Sequence, residues 1–188
     1  PNREIVDNSL TFKAASKTFS LAAMKVAWYF STNPTLLARV RANTRADLTT
    51  LGMEANYAAL TEGDEWFDQL SPYLDANHNF AEKEINSRLE GIRYTKAQGT
   101  YLAWLDVNGF AEAIDAAGIA ARENETAVTQ VAPETIVQRW FANEAGVYLN
   151  PGHSYGTGGA GHMRMNLGTS RQMISTAIEK MAEAIARI

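Results

Sequence analysis

The stretch Ala14-Ala15-Ser16-Lys17-Thr18-Phe19-Ser20-Leu21-Ala22-Ala23-Met24-Lys25 carries two lysines eight residues apart, and Lys13 stands just before it. Its other residues are apolar or hydroxylic. A lysine amine is a poor nucleophile while protonated. Burial and cationic neighbours lower its pKa and free it to form a Schiff base. Two cations suit a phosphate, and one amine suits an aldehyde. Spacing alone sets this reading beside a plainer one, in which three lysines near a strand form a solvated edge.

Outward from this stretch, residues 9–13 and 26–31 read as short strands rich in aromatic and aliphatic side chains. Residues 1–8 are polar and read as a surface loop. Asn33-Pro34 marks a helix start, with Leu36, Leu37 and Val40 sharing one face. A second helix is predicted over 46–60, with Leu48, Leu51, Ala55 and Ala59 as its apolar stripe and Gly63 as its stop. A third is predicted over 64–90, where Trp66, Leu70, Leu74, Ala81, Ile85 and Leu89 keep helical spacing. Pro72 should kink or split it near Ser71, which predicts two domains, 1–70 and 71–188.

In the second part, strands are predicted over 92–96 and 100–107, followed by one alanine-rich helix over 110–122. Residues 124–131 read as a polar loop. Pro133 opens a helix with Ile136, Val137, Trp140 and Phe141, closed by Gly146. A short strand over 147–149, a glycine-rich loop over 150–161 and an alternating strand over 162–167 follow. Thr169 and Gln172 read as the capping box of the last helix, with Met173, Ile174, Ala177, Ile178, Met181 and Ile185 as its buried stripe. This part reads as an antiparallel-leaning sheet with helices on one side. The first part reads as the edge of an α/β domain.

Two motifs compete for the glycine-rich loop. Gly152-His153-Ser154-Tyr155-Gly156 fits the nucleophile elbow by letter, but that motif needs a helix after its turn. No Asp or Glu lies between Ser154 and His162 to complete a triad in the order serine, acid, histidine. Gly156, Gly158 and Gly161 fit the dinucleotide fingerprint, which also needs a following helix. A surface loop of small residues describes the segment better than either. In the strand that follows, Met163, Met165 and Leu167 face one way, and His162, Arg164 and Asn166 the other. Arg164 is either a surface-paired side chain or a bidentate fork for a carboxylate. His153, Tyr155 and His162 could contact a substrate, or serve as packing and loop residues.

Three motifs together resemble the fold-type-I pyridoxal-phosphate enzymes of the class I/II aminotransferase superfamily. They are the lysine segment, Gly99-Thr-Tyr-Leu-Ala-Trp-Leu-Asp106, and Gly146-Val-Tyr-Leu-Asn-Pro-Gly152 with Gly161-His-Met-Arg-Met-Asn-Leu-Gly-Thr-Ser-Arg171. The branch that looks nearest contains cystathionine β-lyases and related C–S lyases. The resemblance implies that Lys17 forms the Schiff base with pyridoxal 5'-phosphate, that Ser16 and Lys25 hold the cofactor with it, and that Arg164 binds the α-carboxylate of an amino-acid substrate. Ala14 stands where the family pattern has a serine, which removes one phosphate hydrogen bond.

The same resemblance implies a fold: an α/β chain comprising the C-terminal part of the large cofactor domain plus an α+β small domain. The family's phosphate loop, its ring-stacking aromatic and its pyridine-pairing Asp precede the lysine, and sixteen residues leave no room for them. The chain therefore reads as a C-terminal half, partnered by the N-terminal half of the same enzyme, and the family implies a homodimer. Transamination and C–S β-elimination both stay open, as does a non-catalytic fragment or interaction module. A start at Pro1 reads as a processed or truncated product.

Composition bounds these readings. The chain has 188 residues, no cysteine, 46% hydrophobic residues and a net charge of −4. That excludes disulfide and thiolate chemistry and gives no electrostatic footprint for nucleic acid. No apolar run reaches membrane-spanning length and no export signal is visible, so the expected location is the cytoplasm. The three histidines show no metal-ligand spacing.

Overall fold

A computed structural model describes residues 2–43 and 47–188. Ala46, the predicted first residue of the second helix, lies outside the described residues. Asn2 and Asn33 set the geometry at the start of the chain. The Asn2 side chain accepts the Glu4 N–H and caps α1 (Arg3–Asp7), so a helical turn stands where polarity predicted a loop. The Asn33 side chain accepts the Thr35 and Leu36 N–H groups and opens α2 (Pro34–Asn43). Asn33 also donates to the Asp7 carbonyl at 2.9 Å, and the Thr32 hydroxyl donates to Asp7 Oδ1 at 2.6 Å. One aspartate thus ties two helix ends.

The chain divides into two compact units, Pro1–Ser71 and Pro72–Ile188. In the first, β1 (Thr11–Lys13) pairs antiparallel with β2 (Trp28–Phe30), with Phe12 opposite Tyr29. Both strands are shorter than predicted. Thr49 caps α3 (Thr50–Glu62) by accepting the Gly52 N–H, and Gly63 ends it. Among the described residues of this unit, Ala15 is the only buried apolar side chain. The predicted stripe of α3 is largely unburied: Leu51 is 78% exposed. Helical period identifies an apolar face without supplying what covers it. A groove of about 510 Å³, lined by Val26, Trp28, Leu48, Met53, Tyr57 and Leu60 among others, lies open in the same unit.

Helix α4 (Asp64–Arg88) continues through Pro72, where a kink or split was predicted. Proline forfeits the bond to the Asp68 carbonyl, but both residues are exposed, so water can take the donor's place.

The second unit has a full core. Its sheet runs β3 (Arg93–Tyr94), β4 (Leu102–Asp106), β6 (His162–Asn166), β5 (Asn150–Pro151), antiparallel throughout. Asn150–Pro151 pairs in place of the predicted 147–149 strand. Ala103, Leu105, Met163 and Met165 fill the inner face, against Ile85 and Leu89 of α4 and residues of four further helices. These are α5 (Asn108–Ala113), α6 (Ala116–Asn124), α7 (Pro133–Glu144) and α8 (Arg171–Ile185).

The single helix predicted over 110–122 is two. Asp115 takes a left-handed conformation (φ 52°) and its side chain caps Gly118, so the first helix stops and the second starts. Phe110 stacks on Phe141 at 4.7 Å between ring centroids. Ser170, not Thr169, caps α8, by accepting the Met173 N–H.

Asn77 of α4 is fully buried and fully bonded. Its amide donates to the Leu167 and Thr169 carbonyls, both at 3.0 Å, and its oxygen accepts from Arg171 Nε at 2.9 Å. Asn77→Leu keeps the volume and strips the Leu167 carbonyl of its side-chain donor. We expect a loss of about 1–3 kcal/mol, read as a lower urea midpoint with an unchanged m-value.

Candidate functional site

The antiparallel pair β1–β2 brackets the lysine loop. Ala15 is buried, and its carbonyl accepts the Phe19 N–H at 2.9 Å, closing one tight turn around Ser16-Lys17-Thr18. Ser16 is half-buried and Lys17 exposed. A short 3-10 turn (Ala22–Met24) follows, and Lys25 ends it in the left-handed region (φ 55°). The loop is seated on α3 through Gly52: a Cβ there would lie 2.7 Å from Val26 Cγ2 and 2.8 Å from the Met24 carbonyl oxygen.

Lys13, Lys17 and Lys25 make no ion pair among the described residues, and the Ser16 hydroxyl has no hydrogen-bond partner among them. The Lys17 and Lys25 amines and the Ser16 hydroxyl, presented from one short loop, form a donor set suited to a phosphorylated carbonyl compound.

In the second unit, Arg164 occupies the centre of the sheet. It pairs in register with Trp104 on one side and Asn150 on the other. Burial alternates along β6 as predicted, with Met163 and Met165 inward and Arg164 on the outer face. Its guanidinium carbon lies 4.7 Å from the centroid of the Tyr155 ring. Tyr155 is edge-on to Trp104, which in turn stacks on His162. Tyr155 therefore packs on Arg164 itself, and His162 belongs to the same cluster.

Arg164 has no carboxylate partner among the described residues. The acid on the same face, Asp106, is engaged elsewhere. It accepts the Asn108 N–H at 3.0 Å and the Asn108 side-chain amide at 2.8 Å, and the backbone donor chiefly holds its carboxyl below the usual range. A half-buried guanidinium without an acid partner, packed against the Tyr155 ring, can take a bidentate carboxylate.

The rival motifs do not assemble. The Ser154 hydroxyl donates to the Pro151 carbonyl at 2.7 Å, in a 3-10 turn (Gly152–Tyr155). A strand, not a helix, follows Gly161. The third histidine, His78, is buried between the Tyr94 hydroxyl (2.5 Å) and the Thr100 carbonyl (3.0 Å), while burial pushes the Tyr94 phenol up. Among the described residues, no cluster of His, Cys, Asp and Glu could hold a metal ion, and no helix is long and apolar enough to cross a membrane.

The model of the family "Aminotransferase class I and II" matches residues 3–181. The chain belongs to that family. Among curated relatives, it is 33% identical over 183 residues to the Mycobacterium tuberculosis protein named "Putative cystathionine beta-lyase", covering 95% of this chain and 44% of that one. It is 26% identical over 187 residues to cystathionine beta-lyase PatB of Bacillus subtilis, covering 97% and 43%. Cystalysin from Treponema denticola, solved with a pyridoxal 5'-phosphate cofactor, superposes with a TM-score of 0.81 at 23% identity, covering 99% and 43%. That likeness shows a shared fold, the mixed α/β arrangement expected from the sequence. The chain spans less than half the length of these relatives.

The seat of the lysine loop can be tested directly. In an exposed helix, Gly→Ala gains about 1 kcal/mol. Gly52→Ala instead drives a methyl into the Met24 carbonyl and Val26. We expect a net loss of about 1–3 kcal/mol, measured by denaturant unfolding, with faster proteolysis within the 17–26 loop.

Proposed function

We propose that this chain is the C-terminal half of a pyridoxal-phosphate-dependent enzyme acting on an α-amino acid. Residues 1–70 would then close the large cofactor-binding domain and residues 71–188 form the small domain. The observation that carries the reading is Arg164. It is a sheet-centred guanidinium without an acid partner among the described residues, in a chain whose family model spans almost its whole length.

Bound pyridoxal phosphate supplies an electron sink for the pair left when a bond to Cα breaks. The chain's own residues do the rest. Lys17 contributes the amine that secures the cofactor carbonyl and, once released, accepts the Cα proton as general base. Ser16 donates a hydrogen bond to the phosphate, and Lys25 neutralises it. Arg164 grips the substrate carboxylate through two parallel N–H groups and orients it.

Two reactions of an α-amino acid fit this residue set, transamination and C–S β-elimination. The names of the two curated relatives favour the β-lyase. The poorly covered first unit supports a second piece of the same enzyme as its partner. The reading includes a homodimer in the cytoplasm.

Ala14 removes a phosphate-binding hydroxyl, so more of the anchoring falls on Lys25. Lys25→Met should loosen the cofactor more than Lys13→Met does, measured by equilibrium dialysis of the full-length protein. Equal retention would contradict the assignment. In the full-length enzyme, Arg164→Ala should cost on the order of 1.5–3 kcal/mol, a fall in kcat/KM of roughly 10- to 150-fold, with the bound-cofactor absorbance kept. The assay is an amino-acid panel read for keto-acid and thiol release, and unchanged efficiency overturns the proposal.

A further inference from the structure

Glu134, the second residue of α7, is a charged side chain left only 5% exposed. Its Oε1 accepts the Gly161 N–H, and its Oε2 lies 3.2 Å from His153 Nδ1. A carboxylate can only accept, so the His153 proton sits on Nδ1 and is donated to Glu134. Gly161 and His153 lie on opposite legs of one loop. One buried carboxylate therefore clamps both legs.

The loop is also closed on itself. A Cβ on Gly152 would stand 2.2 Å from the Gly159 oxygen, and a Cβ on Gly159 would stand 2.0 Å from the Gly152 oxygen. The legs cross backbone to backbone, which accounts for glycines at both positions without any phosphate. The Gly161 carbonyl accepts the Val107 N–H at 3.0 Å, tying the loop to the end of β4. At its tip, the Tyr155 ring covers the Arg164 guanidinium. Among the described residues, no hydrogen bond or ion pair holds its charged end.

We propose that Glu134 is a positioning residue for carboxylate recognition. By clamping Gly161 and His153 it holds Tyr155 against Arg164, so that the guanidinium is pre-oriented before a carboxylate arrives. This rests on the reading of Arg164 as the carboxylate-binding residue. Pre-orientation stabilises bound substrate and transition state alike, so its loss appears in KM rather than kcat.

The test uses the full-length protein loaded with pyridoxal phosphate and two readouts. Hydrogen exchange of the peptide covering residues 152–162 reports the clamp without any turnover. Steady-state kinetics on the best amino acid of the panel report its consequence. Glu134→Met, of similar size but without acceptors, should speed exchange of that peptide and raise KM at least tenfold, with kcat within threefold. Glu134→Gln can still accept from Gly161 and donate to His153, and should restore KM to within threefold of the parent. Tyr155→Leu removes the ring face and should match Glu134→Met.

If Glu134→Met does not fold, His153→Leu opens one leg at a partly exposed position and should raise KM in the same sense. Unchanged exchange in Glu134→Met overturns the clamp. Faster exchange with unchanged KM, while Arg164→Ala raises KM, overturns the positioning role. Faster exchange with KM silent in both Glu134→Met and Arg164→Ala marks the carboxylate reading itself as the failure, and the proposal falls with it.

Discussion

A slip of one residue between β4 and β6 would turn Arg164 into the core and Met163 to solvent. The register forbids it, because Leu105 and Met163 face each other, as do Ala103 and Met165, and all four are buried. Burying a guanidinium without a partner costs several kcal/mol, while Met163 and Met165 would lose their cover. The polar outer face of the sheet is thus a by-product of the hydrophobic inner one. Trp104, Arg164, Asp106 and His162 come together because their sequence neighbours must point inward.

The two units stabilise themselves by different means. The second closes a core of aliphatic and aromatic side chains and satisfies its buried polar groups one by one, as Asn77 does with three partners. The first is held by local devices: asparagine and threonine caps, the Asp7 tether and the Gly52 approach. Its larger apolar side chains remain unburied. The lysine segment proposed to hold the cofactor sits in the first unit, and the carboxylate-binding candidate sits in the second. This division fits a chain spanning less than half the length of its relatives.

What was legible in the sequence follows from range. Period-two alternation over residues 162–167 is local, and it placed Arg164 on the outer face correctly. The Asn33-Pro34 start and the Gly63 stop are equally local. The break at Asp115 was hidden, because a residue in left-handed conformation inside an alanine-rich run leaves no trace in periodicity. Thr169 and Ser170 are both good caps, and geometry chose the second. Glu134 escaped notice because an acid in a first helical turn is ordinary. Its meaning comes from Gly161 and His153, which lie well beyond it in sequence. Tyr155 and Trp104 were missed as neighbours of Arg164 because a 3-10 turn and a strand register bring them there.

The order of strands in the second unit carries one more consequence. Both outer strands, β3 and β5, are two residues long, and β5 includes Pro151, which has no N–H to offer. Neither edge can template the addition of a foreign strand. The β1–β2 pair has no such protection, with Phe12 and Phe30 exposed beside open backbone edges. When these chains crowd together, self-association should therefore nucleate in the first unit and leave the sheet bearing Arg164 intact.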